Sequence, residues 1–267
     1  MNKYELTTET LQFAGHILHR IKALKDFRSV KAGELGGWIE NEKNLSQYDN
    51  AWVYNNAKVF DKARVYGDAT VRDDAKVCGC AEVHNNAKVF GNARVFGNAK
   101  ILGNAHIFGN AKVFDYATVC GDAKVYGKAT VYGEAIIGGA AEVYGKVEIF
   151  DRVRVYGTAM VYGDAWVSDD ACICGEAVVF GWAVVSGGVK IMGNAKVSSN
   201  KDYIVFKNFW SSGRYFTWTR SNNMWSVGCF YGTGEELIEK AYIDSNTSGR
   251  EYERVVRYVE SILADEK

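Results

Sequence analysis

Four groups of residues in this 267-residue chain have types and spacings that could do chemistry. His84 and His106 could each act as a general base, because a neutral imidazole accepts a proton near pH 7. Both stand in ordinary outward slots of a repeat, and neither has a carboxylate at a defined spacing to orient it, so surface fillers are the plainer reading. Cys78-Gly-Cys80 and Cys172-Ile-Cys174 have the look of metal half-sites. They fall about five repeat coils apart, roughly 25 Å at strand spacing, too far to share one ion. No metal and no cofactor are expected from them.

The fourth group lies near the C-terminus. Ten aromatic residues crowd into 203–231, interleaved with Lys207, Arg214, Arg220, Asn222 and Asn223. Aromatic platforms beside guanidinium and amide groups suit flat, anionic ligands such as nucleotides. Trp210, Arg214, Trp218 and Arg220 are the residues that such a ligand would engage. The plainer alternative is that a small domain builds its core from the same aromatics.

The elements that must position these groups are set by a repeat. Stepping by six from Ala51 to position 195, every slot is Ala except Val147, Val153 and Val189. Two residues further on, from Val53 to Val197, all 25 slots are Val or Ile. Two residues before the Ala, from Asp49 to Gly193, all 25 are Gly, Asp or Asn. Ala and Val two apart share one face of an extended strand, so both point inward and the residue between them points out. Gly, Asp and Asn tolerate positive φ, so they mark corners. Four extended residues and a two-residue corner make a solenoid with a short strand on each side. This six-residue phrase resembles the hexapeptide repeat of parallel β-helices, and that resemblance implies three hexads per coil, hence about eight coils and a rod of roughly 40 Å.

Outward slots then sort into columns 18 residues apart. One runs Tyr54, Arg72, Phe90, Phe108, Tyr126, Tyr144, Tyr162, Phe180, and a second Phe60, Cys78, Phe96, Phe114, Tyr132, Phe150. Ladders of this kind stabilise a sheet by about 0.2–1 kcal/mol per cross-strand pair. Two such columns also exceed what a monomer would expose, which points to a second copy of the chain, as dimer or trimer. A further column begins Lys58, Lys76, Arg94, Lys112 and could meet an anion or a nucleic-acid backbone, though Glu and Asp in neighbouring slots argue for a solvated face.

The ends differ from the rod. Residues 1–48 read as an N-terminal β-hairpin cap turning at Ala14-Gly15, with Trp38 and Ile39 plugging the first coil. Residues 49–198 are the solenoid. Residues 199–267 read as a small α+β domain with strands at about 203–206, 214–219 and 224–230. Two helices follow, opened by Thr233-Gly-Glu-Glu236 and Ser248-Gly-Arg-Glu251. Lys plus Arg and Asp plus Glu both number 32, so no global field draws the protein to nucleic acid or an anionic membrane. No apolar run nears the roughly 20 residues of a membrane span. The opening residues lack signal-peptide features, and six cysteines are too few for a disulfide scaffold, which fits a reducing cytoplasm.

The hexad resembles the hexapeptide repeat of left-handed parallel β-helices. One departure is that Tyr or Phe often follows the aliphatic residue here. The resemblance implies left-handed coils, frequent trimers and, in the enzymes of that family, acyl transfer from coenzyme A with a catalytic His, for which His84 and His106 are the candidates. Those enzymes usually carry a loop that breaks the register, and none interrupts this one. The end pieces "RIKALKDF", "VKAGELGGWIE" and "GCFYGTGEEL" resemble phage- and prophage-encoded hexapeptide proteins. That implies a non-enzymatic binding role in a bacterial host: sequestering a nucleotide-like defence signal or binding a host protein. A purely structural rod is the third reading.

Overall fold

A computed structural model describes residues 2–209 and 213–266. The chain is mainly a parallel β-solenoid of about nine turns, with N-terminal strands at one end and a small antiparallel sheet with two helices at the other. The rod is built from 25 two-residue strands, Trp52–Val53 to Lys196–Val197, here called rungs. Each rung pairs in parallel with the rung 18 residues away, as Lys88 with His106 and His106 with Lys124. All the Ala and Val/Ile slots are buried in one continuous core. Sinking each Val or Ile contributes about 1.5–3 kcal/mol relative to leaving it exposed.

The corners explain the third slot of the hexad. From Asn55 to Gly193, every residue in that slot has positive φ. Gly97 shows why glycine dominates: a Cβ there would lie 2.7 Å from the backbone nitrogen of Asp115 in the next coil. Where Asp stands instead, its carboxylate does work that glycine cannot. Asp49, Asp61 and Asp73 each accept the backbone N–H of the corner one coil on, at Gly67, Gly79 and Gly91.

The coil count exceeds the expected eight because the register begins earlier. Strands β1 (Tyr4–Phe13) and β2 (His16–Ala23) form an antiparallel hairpin, and β2 pairs antiparallel with β3 (Leu35–Ile39). Trp38 and Ile39 of β3 then pair in parallel with Lys58 and Val59, and Leu45 bridges to Val65. The segment that was expected to plug the first coil therefore forms a coil itself.

At the other end, β4 (Tyr203–Lys207), β5 (Tyr215–Thr219), β6 (Met224–Val227) and β7 (Phe230–Gly232) form a four-stranded antiparallel sheet. The expected single strand over 224–230 is two strands, because Gly228 at φ +59° turns the chain and sets Phe230 opposite Val227. Helix α1 (Gly234–Asp244) has its capping box at Thr233 and Glu236. Helix α2 (Asn246–Asp265) is capped three residues before the expected Ser248. Ser245 is its N-cap, and its side chain accepts the backbone N–H of Ser248. No helix among the described residues is long and apolar enough to cross a membrane.

Candidate functional site

The solenoid sorts every outward side chain by face, so candidate residues distant in sequence become neighbours at strand spacing. On the face that holds His106, the ladder runs Thr70, Lys88, His106, Lys124, Glu142. The adjoining aromatic column is a true stack. Phe90 and Phe108 lie 4.8 Å apart and 2° from parallel, and the stack continues through Tyr126, Tyr144, Tyr162 and Phe180. Arg72 caps it, its guanidinium 4.6 Å from the Phe90 ring centre.

His106 sits edge-on to Phe90, with ring centres 6.2 Å apart. Its pKa is lowered by partial burial first, and then by Lys88, Lys124 and Arg72. The imidazole therefore stays neutral, and free to accept a proton, under conditions where an isolated histidine begins to charge. Beyond it, Lys124 donates to Glu142 at 2.9 Å and the Tyr126 hydroxyl donates to the same carboxylate at 3.0 Å. Burial and that carboxylate push the Tyr126 phenol up to about 12, so it stays a proton donor. The arrangement offers a neutral base, cations on either side of it and a wall of stacked rings. Chemically, that can hold an anionic, partly flat ligand and take a proton from a nucleophile beside it.

His84 is placed differently. It stacks flat on Tyr66, with ring centres 4.7 Å apart, and its Nδ1 lies 3.1 Å from the Asn85 side-chain oxygen. No carboxylate orients it among the contacts of the described residues. His84 and His106 stand on different faces, so the structure does not bring them together.

Of the C-terminal candidates, Trp210 lies outside the described residues. Trp218 is 1% exposed and belongs to the core between the sheet and the helices, with its indole N–H donated to Asn223. Arg220 lies over the Trp218 ring at 5.8 Å, but its guanidinium is taken up by Glu266 in a two-pronged ion pair, and its Nε donates to the Lys201 carbonyl. The Arg214 side chain packs along Gly228. Trp218 and Arg220 thus meet, yet both are spent on internal contacts, as the plainer reading of this segment expects.

A group that the sequence reading left out lies at the N-terminal end. His16 of β2 directs Nδ1 at Glu40, 3.1 Å away, and Nε2 at Asp61, 3.4 Å away. These three are also the described residues whose ligand atoms cluster closely enough for a metal. With a different carboxylate on each ring nitrogen, however, the geometry is that of an ion-paired imidazolium. Its pKa is raised, first by the Glu40 hydrogen bond. It ties the hairpin to the rod. His16 and Asp61 are 45 residues apart in the chain, so nothing local marks the pair.

No family model matches the chain. Over 62 residues it is 39% identical to an uncharacterized acetyltransferase, YdcK, of Escherichia coli (strain K12). That stretch is 20% of this chain and 19% of that protein, so the chain covers about a fifth of the relative's length. The likeness fits a hexapeptide-repeat solenoid.

Proposed function

We propose that the His106 face binds the phosphorylated carrier of an acyl group, such as coenzyme A, and that His106 acts as the general base of acyl transfer. The observation that carries this reading is the neutral His106 bracketed in register by Lys88 and Lys124 beside the aromatic stack. Lys88 and Arg72 would meet the phosphates, the rings would carry the flat base, and His106 would take the proton from the attacking amine or hydroxyl. The resemblance of the repeat, and a relative named as an acetyltransferase, support the same chemistry. The face is open, so a second copy of the chain would supply the opposite wall, and its apolar contacts would cover the stacked rings.

One observation favours a second reading: among the described residues of the rod, no segment leaves the coil to build a pocket for an acceptor. On that reading the same face holds a nucleotide-like host signal without turnover, as phage-type proteins would do in a bacterial cytoplasm.

Calorimetric titration of the purified chain with acetyl-coenzyme A, coenzyme A and a panel of nucleotides separates the two. It is followed by chromatographic detection of free coenzyme A in the presence of amine and hydroxyl acceptors. Acyl transfer requires saturable binding of the coenzyme and turnover that drops roughly 10²–10⁴-fold in His106→Ala. Tight binding of a nucleotide with no turnover would install the second reading. A coenzyme that fails to bind, or turnover indifferent to His106→Ala, sinks the first.

A further inference from the structure

Six cysteines are present as free thiols, and two of them share a setting the others lack. Cys172 occupies the outward slot of its rung, with Arg154 in register on one side and Lys190 on the other. The Tyr156 hydroxyl lies 3.3 Å from Cys172 Sγ. Cys174 follows two residues on, in the outward slot after Ile173, and is 4% exposed. Lys190 Nζ is fixed by a hydrogen bond to the Gly228 carbonyl, in the turn between β6 and β7. Through that turn the C-terminal sheet roofs this part of the rod, and Cys172 sits at the seam, half-buried.

We propose that Cys172 is a nucleophilic thiolate that exchanges with small anionic disulfides. Two cations one rung away on either side favour the charged sulfur, and the Tyr156 hydroxyl and the Cys174 thiol can both donate to it. Accordingly its pKa is lowered, first by the hydrogen bond with Cys174, then by Tyr156, Lys190 and Arg154, all against the opposing effect of burial. The contrast with the other outward cysteines is direct. Burial raises Cys120, and it pushes Cys78 up to about 11 with Asp61 adding to the effect. The same two cations that favour the thiolate would attract a disulfide carrying carboxylates.

In the step, Cys172 sulfur attacks one sulfur of the disulfide. A new S–S bond forms, the old one breaks, and the leaving thiolate takes a proton from water. The disulfide is the oxidant: Cys172 sulfur is oxidised, and the displaced sulfur is reduced as it leaves with the electron pair of the broken S–S bond. This chemistry is independent of His106, which lies on another face.

The test is stopped-flow reaction of the full chain with 5,5′-dithiobis(2-nitrobenzoic acid) at pH 6, with the labelled cysteine identified by peptide mass spectrometry. An ordinary thiol is under about 1% ionised at that pH, and an acidified one loses part of its advantage to weaker nucleophilicity. A net rate roughly tenfold above the exposed Cys80 and Cys229 is expected at Cys172. The fast phase should vanish in Cys172→Ser and survive the Cys80→Ser/Cys229→Ser double variant. Lys190→Met should slow it at pH 6 and leave it near the wild-type rate at pH 9, which a merely structural role would not do. Cystamine, a cationic disulfide, should react more slowly. A fast phase that labels Cys229 or Cys80, or none above free cysteine, overturns the proposal.

Discussion

At the N-terminal end of the solenoid the open edge would be a row of carbonyls, and at the C-terminal end a row of N–H groups. The ladder runs one way: each coil donates its N–H groups to carbonyls of the next, as Trp52 to Ala69 and Tyr54 to Val71. The two ends are closed with opposite chemistry to match. Donors close the first coil: Lys3 Nζ to the Asp49 and Ala51 carbonyls, Arg20 to Asn55, and Asn44 Nδ2 to both Asp61 and Ala63. Acceptors close the last: Thr217 takes the Lys190 N–H, Ser221 that of Lys196, Asn200 that of Val184, and Asp202 those of Ser198 and Ser199. A buried polar group without a partner costs about 1–3 kcal/mol, so the sign of each cap follows from the polarity of the sheet.

Reversing a cap should show the difference most strongly at Asn44, which is fully buried. Asn44→Asp sets a carboxylate against two carbonyls and should cost about 3–5 kcal/mol, by analogy with an unpaired buried charge. Urea denaturation of the full chain measures it. A loss below about 1 kcal/mol would mean that donors are not what this end needs. The matching change at the other end is Asp202→Ala, which strips the acceptor from both serines and should cost about 2 kcal/mol. Asp202→Asn keeps an oxygen in place and should cost less than half as much. Equal losses from the two Asp202 variants would show that charge, not acceptance, matters there.

A smaller effect tests the corners between the ends. Gly97→Ala forces a Cβ against the Asp115 backbone at φ +68° and should destabilise by about 1–3 kcal/mol. Gly213, which has no atom of the described residues within 4 Å of its missing Cβ, shares the positive φ and should lose less on the same change. Melting temperatures of the two variants compare them. A Gly97→Ala loss no larger than that at Gly213 would place the cost in φ alone.

How much of this could be read beforehand depends on the range of each constraint. The Ala, Val and corner slots are decided within six residues, so the rod, its core and its stacked columns were legible. The hairpin and its turn at Ala14-Gly15 were legible too, but the contacts that close the ends were not, because Lys3 reaches Ala51 from 48 residues away and His16 meets Asp61 only after the hairpin folds back. The extra strand turns on the φ of one residue, Gly228, inside an apparently continuous run. The two Cys-x-Cys pairs looked alike by spacing, yet they occupy different slots. Cys78 and Cys80 straddle a corner, whereas Cys172 and Cys174 flank a buried Ile on one rung. The column Arg154, Cys172, Lys190 stood in the sequence at intervals of 18, but only the Tyr156 contact and the roof from the C-terminal sheet make it a site. Trp218 and Arg220 were chosen for their types, and type does not distinguish a core aromatic from a ligand platform.

The ends should also answer pH in opposite directions. Asp202 would be raised by burial, but its hydrogen bonds from Ser198 and Ser199 outweigh that and its pKa is lowered. A depressed carboxylate contributes stability that is present above its unfolded pKa and lost as pH falls through the folded value, so the last coil should loosen below about pH 4. His16 is raised by the Glu40 hydrogen bond, with Asp61 adding to it. A raised imidazole contributes stability that is complete below its unfolded pKa of about 6.5 and lost as pH climbs through the folded value. The hairpin should therefore loosen from about neutral pH upward. Lys3 limits the window: burial lowers it to about 8, so above that pH the unfolded chain binds the extra proton and this end regains stability. Hydrogen-exchange protection factors for β1, β2 and the last rungs, taken at pH 4, 6 and 8, read both ends in one experiment. Protection of the hairpin that is highest at pH 6 and falls at pH 8, while the last rungs lose theirs only at pH 4, is the expected result. His16→Gln should erase the loss between pH 6 and 8 and leave the acid response of the last rungs untouched, and a response shared by both ends would mean that the rod opens as one unit.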